Sequence, residues 1–85
     1  MLKVIKRDCT EVEFNEAKIS NAIIKAMRNG SGIVNRRIAF SIASEIYEEN
    51  KDKDELSISA IESLVYDKLI NNNQRLTAKA YGWVS

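Results

Sequence analysis

Apolar and polar residues alternate over residues 2–7, placing Leu2, Val4 and Lys6 on one face of a strand and Lys3, Ile5 and Arg7 on the other. Asp8-Cys9-Thr10 takes the turn position, and Glu11-Val12-Glu13-Phe14 alternates again as a returning strand. The period then changes. Asn15 is a good N-cap, Glu16 favours the helix dipole, and Ile19, Ala22, Ile23, Ala26 and Met27 recur at the spacing of one helical face. Asn29-Gly30-Ser31-Gly32 ends that helix.

A second helix is predicted over 35–50, with Ile38, Ile42 and Ile46 stacked and Ala39 and Ala43 beside them. The charged tract 51–55 reads as a solvated connection, and Leu56-Ser57-Ile58 as a short extended piece. Ser59 with Glu62 three residues on predicts a capping box for a third helix that buries Ile61, Leu64, Val65 and Leu69. Asn71-Asn72-Asn73 breaks it, and a fourth helical pattern is still running at Trp83 and Val84. A hairpin followed by four short helices predicts an α+β fold, with a small N-terminal hairpin or sheet capping a four-helix bundle. Residues 1–85 are expected to be one domain, an N-terminal piece of a longer protein.

Composition narrows the chemistry. The chain is 45% hydrophobic and 29% charged, which suits a folded domain rather than a disordered segment. Thirteen basic residues against twelve acidic leave a net charge of +1, so no general field draws it to nucleic acid or to an anionic membrane. With no histidine and one cysteine there is no zinc ligand set, no internal disulfide and no usual general base, which argues against catalysis and fits a reducing cytoplasm. No apolar run approaches membrane-spanning length, and the charged N-terminus does not fit a signal peptide.

Three cations stand out against this near-neutral background. Lys6 and Arg7 close the first strand, and Lys18 lies at the start of the first helix, where backbone N–H groups and the helix dipole favour an anion. The competing reading is a solvated strand edge with an exposed helix lysine. On a regular strand Lys6 and Arg7 point to opposite faces, so both reach one ligand only if the strand twists or the ligand wraps its end.

The stretch "VIKRDCTEVEFNEAKISNAIIKA" resembles the opening of the ATP-cone domain, with its V-x-K-R-D-G, a hydrophobic strand, then F-D/N-x-x-K-I and A-I. Cys9 stands in place of the glycine. "SISAIESLVYDKL" and "RLTAKAYGWVS" resemble the cone's third and last helices, so the resemblance spans essentially the whole chain. It implies an allosteric module that binds ATP or dATP, with Mg, at the N-terminus of a ribonucleotide reductase. "LTAKAYGWVS" is most similar to the anaerobic, glycyl-radical ribonucleoside-triphosphate reductase. The aerobic large subunit is the second candidate, and the zinc-ribbon repressor of reductase genes, whose cone follows four cysteines, fits less well.

Carried over by position, the resemblance implies that Val4 and Ile5 line the site with backbone groups and that Lys6 and Arg7 hold phosphates. Val12 and Asn15 would lie near adenine, and Lys18 with Ile19 at the sugar and phosphate edge. Ile58, in place of a hydroxyl residue, and Glu62 fall at nucleotide-contacting positions of the third helix. The implied partners are the rest of a reductase chain and a nucleotide-dependent homo-oligomer. The rival from another class is a nucleic-acid or protein interaction module using Arg36-Arg37, or Tyr81 and Trp83; the dispersed cations argue against nucleic acid.

Overall fold

The computed structural model describes residues 1–82. The chain runs through β1 (Lys3–Ile5), β2 (Glu11–Glu13), α1 (Glu16–Asn29), α2 (Arg36–Asn50), β3 (Glu55–Ser57), α3 (Ile58–Asn71) and α4 (Arg75–Gly82). The α+β expectation holds, with one addition. The hairpin is part of a three-stranded sheet of order β2-β1-β3. Val4 lies opposite Val12 in the antiparallel ladder and opposite Leu56 in the parallel one. The expected continuation of the last helix to Trp83 and Val84 lies outside the described residues.

Alternation sets the sheet's inner face. Leu2, Val4 and Leu56 are buried against the helices, and Val12 packs partly against the same core. The core proper lies between helices. Ile23 and Met27 of α1, Ile42 and Ile46 of α2, and Ile61, Val65 and Leu69 of α3 are almost fully enclosed. Ala39 and Ala43 are buried too, small enough to let α2 approach its neighbours closely. The stripe on α1 is rotated from the expected one. Ser20 and Ile24 are buried, whereas Ala22 is exposed; Ser20 lies beside Phe40 and Ala43 of α2.

The caps explain most boundaries. The Asn15 side chain accepts from the Ala17 N–H at 2.9 Å, and Asn35 accepts from the Ile38 N–H at 3.2 Å, opening α1 and α2. The third helix differs from expectation. Ser57, not Ser59, is its N-cap, accepting from the Ala60 N–H at 3.1 Å. β3 ends at Ser57 with extended backbone (φ −73°, ψ 153°), the geometry an N-cap needs, so the helix starts at Ile58 and Ser59 lies inside it. Glu62 is thereby released from the capping box. Lys68 joins α3 to α2 through Glu45 at 3.1 Å and Glu49 at 3.0 Å. Burial pulls its ammonium pKa down, but the hydrogen bonds to Glu49 and Glu45 outweigh that and raise it.

The hairpin turn starts at Lys6. The Cys9 N–H donates to the Lys6 carbonyl and the Lys6 N–H to the Thr10 carbonyl, both at 2.9 Å, which makes a three-residue loop closed by a bulge. Such loops need a left-handed third residue, and Cys9 has φ 70°. The glycine of the cone pattern falls at this position for that reason. Asp8 stabilises the loop by accepting from both the hydroxyl and the N–H of Thr10; those bonds, with Lys6 nearby, hold its carboxyl below the ordinary 3.8. A left-handed L-residue costs about 1 kcal/mol relative to glycine. Cys9→Gly should therefore raise the denaturation midpoint, by about 4–8 °C for a domain of this size. Cys9→Ala, which keeps a Cβ, should show no such gain; equal midpoints for the two variants would sink this account.

Candidate functional site

The sheet, the start of α1, the first turns of α3 and the end of α4 enclose a pocket of about 240 Å³. Its walls are apolar: Val4 and Val12 from the sheet, Ile19 and Ala22 from α1, Ile58 and Ile61 from α3. Phe14 and Tyr81 add aromatic surface, and the Phe14 ring rests on Tyr47 of α2 at a centroid distance of 5.5 Å. Lys6, Lys18, Asn15 and Glu13 supply the polar groups. An apolar chamber with a few charged groups at its edge suits a flat ring carrying an anionic tail.

Each element delivers its residues for a local reason. Lys6 is the first residue beyond β1, and its side chain continues on the inner side set by Leu2 and Val4. Asn15, Lys18 and Ala22 recur at i, i+3 and i+7 along α1, so capping the helix at Asn15 turns all three toward the sheet. The early start of α3 at Ile58 places Ile58 and Ile61 on the facing wall.

A second concavity adjoins the pocket, lined by Lys6, Arg7, Asp8 and Ile58. Lys6 and Ile58 border both. The strand's alternation stops at Ile5, and the turn begun at Lys6 brings Arg7 beside its neighbour rather than behind it. The two cations therefore border one continuous surface. Arg7 is already engaged: its Nη2 donates to Glu62 Oε1 at 2.6 Å.

Of the ten residues singled out, Val4, Lys6, Val12, Asn15, Lys18, Ile19 and Ile58 line the pocket. Arg7 lies in the adjoining concavity, and Glu62 reaches it through Arg7. Ile5 lines neither, since it is on the outer face of β1. β1 is the central strand, so its backbone groups go to ladders on both sides, and Val4 offers the pocket a side chain rather than backbone groups. The start of α1 also has fewer free donors than expected. Its Ala17 N–H is taken by the Asn15 side chain and its Lys18 N–H by the Asn15 carbonyl at 3.2 Å. An anion here depends mainly on lysine side chains.

Sequence reading missed Glu13, Phe14, Ala22, Ile61 and Tyr81 as lining residues. Ala22 was within reach, because it follows Lys18 by four and Ile19 by three on one helical face. Tyr81 carried no local signal; only the packing of α4 on α1 and α3 brings it to the pocket. Burial, then the charge of Glu62, pushes its phenol up to about 12, so it stays a neutral hydrogen-bonding group at ordinary pH.

Among the described residues no three His, Cys, Asp or Glu side chains gather as a metal site, and no helix is long and apolar enough to cross a membrane. None of the curated proteins matches the chain. The family model of the ATP cone domain, by contrast, matches residues 2–83, from Leu2 just before β1 through α4. This chain therefore belongs to the ATP cone family, whose domains bind ATP or dATP as allosteric effectors.

Proposed function

We propose that this cone is the N-terminal effector-binding domain of a ribonucleotide reductase, of the anaerobic, glycyl-radical type, acting in the cytoplasm. The observation that carries the binding mode is the pairing of Lys6 and Lys18 at the edge of one apolar pocket. At about 240 Å³ the pocket is smaller than the roughly 300–1,000 Å³ usual for small-molecule sites, which suits base and sugar inside with the triphosphate along the edge. Adenine enters between Val12 and Asn15. Lys18 and Ile19 meet the sugar and the first phosphate, and Val4 and Ile58 form the floor. The phosphates then run over Lys6 toward Arg7. Mg comes with the phosphates rather than in a protein cage, in keeping with its usual reluctance to give up water. The choice of reductase type rests on the likeness of "LTAKAYGWVS" to the anaerobic enzyme.

The domain works as a switch only if ATP and dATP favour different arrangements of the longer chain or its oligomer, since equal affinity for two states shifts neither. Titration calorimetry of the 85-residue chain with ATP and with dATP tests the first step. Saturable heat is expected, together with a thermal midpoint that climbs with nucleotide concentration. No heat and no shift with either nucleotide would count against the site.

A further inference from the structure

We propose that Glu62 is an internal stand-in for phosphate: its carboxylate holds the Arg7 guanidinium until the triphosphate displaces it, and so sets the affinity of the cone. Resting on the reading of this pocket as the nucleotide site, the proposal adds a competitor built into the fold.

The geometry singles out this pair. Arg7 Nη2 and Glu62 Oε1 are 2.6 Å apart although 55 residues separate them, so the contact is made by the tertiary fold and not by helical spacing. A guanidinium recognises carboxylate and phosphate through the same N–H groups, and one cannot fully serve both. The Arg7 side chain is 58% exposed, which makes the pair a weak source of stability. Its place is what matters. Arg7 shares its concavity with Lys6 and Ile58, which also line the pocket, and Ile61, next to Glu62 in sequence, lines it too. On the other side the charge of Glu62 reaches the Tyr81 phenol at the pocket wall. A triphosphate lying over Lys6 and Arg7 must therefore break the ion pair and leave a carboxylate beside its own charge. ATP binding then carries the cost of releasing Glu62.

Glu62→Gln keeps the side-chain size and weakens the competitor. Calorimetry should show ATP binding to Glu62→Gln about twofold to fivefold tighter than to the wild type, the range expected for losing a partly exposed ion pair. The thermal midpoint without nucleotide should stay close to that of the wild type. The gain should shrink to a small remainder when Arg7→Ala is already present, because the competitor then has nothing to hold and only its bare charge still repels the phosphates. Unchanged or weaker ATP binding by Glu62→Gln would overturn the proposal. A gain that persists in full beside Arg7→Ala would do the same, since it would mean simple charge repulsion. If ATP binds and Lys6→Ala weakens it while Glu62→Gln has no effect, the pocket reading survives and this one fails. If neither the wild type nor Glu62→Gln binds ATP, both fail.

Discussion

Lys6→Ala and Lys18→Ala should each weaken ATP binding about ten- to a hundredfold, the effect of losing a charge-assisted contact of roughly 1.5–3 kcal/mol. A domain of net charge +1 cannot hold a triphosphate by its general field, so the affinity has to come from cations at the pocket. The geometry makes the dependence on these two lysines sharper, because Asn15 already takes two N–H groups at the start of α1. Arg7→Ala should cost less than either, since its guanidinium must first leave Glu62. Both lysines are exposed, so the thermal midpoint without nucleotide should barely move. Lys25→Ala is the control: it is exposed on the same helix, does not line the pocket, and should bind normally. Calorimetry on the four variants settles the ranking. Wild-type affinity in both Lys6→Ala and Lys18→Ala would reduce these cations to a solvated edge.

The elements of this fold were legible wherever one period ran long enough. α1 was readable from its apolar spacing and from Asn15, a side chain that competes with the backbone until a helix start uses it, and α2 from its apolar spacing. The start of α3 was not readable from the local pattern. Ser57 and Ser59 both precede an acceptable helix, and only the pairing of Leu56 with Val4 fixes Ser57 as extended and hence as the cap. That small shift decides the role of Glu62, a capping partner in the sequence and the partner of Arg7 in the structure. The parallel contact between β1 and β3 joins segments some fifty residues apart, and nothing in a three-residue strand announces its partner. The site divides the same way. Lys6, Arg7 and Lys18 stood out from the residues themselves, Val12, Asn15, Ile19 and Ile58 came from the likeness to the cone pattern, and Ile61 and Tyr81 enter only through packing.

Gly30→Ala should destabilise the domain by about 1–3 kcal/mol, as overpacking at a rigid contact does, and lower the thermal midpoint by roughly 5–20 °C. The loop after α1 contains two glycines that look interchangeable, yet they are needed for different reasons. Gly32 has φ +80° and open space around it, so a side chain there meets only backbone strain. Gly30 has an ordinary φ of −89°, but a Cβ would lie 2.5 Å from the Leu76 carbonyl oxygen and 2.9 Å from its carbon. Both atoms are backbone at the start of α4, so no rotamer change relieves the clash. Either the end of α1 or α4 has to move. α4 carries Thr77 and Ala78 in the core and Tyr81 at the pocket, so displacement should also weaken ATP binding without touching a cation. Asparagine separates the two causes. It tolerates the left-handed region, so Gly32→Asn should cost much less than Gly32→Val, whereas Gly30→Asn should be at least as damaging as Gly30→Ala. Thermal melts of the four variants provide the check, and a Gly30→Ala midpoint equal to wild type would mean that α4 yields to the added methyl without loss.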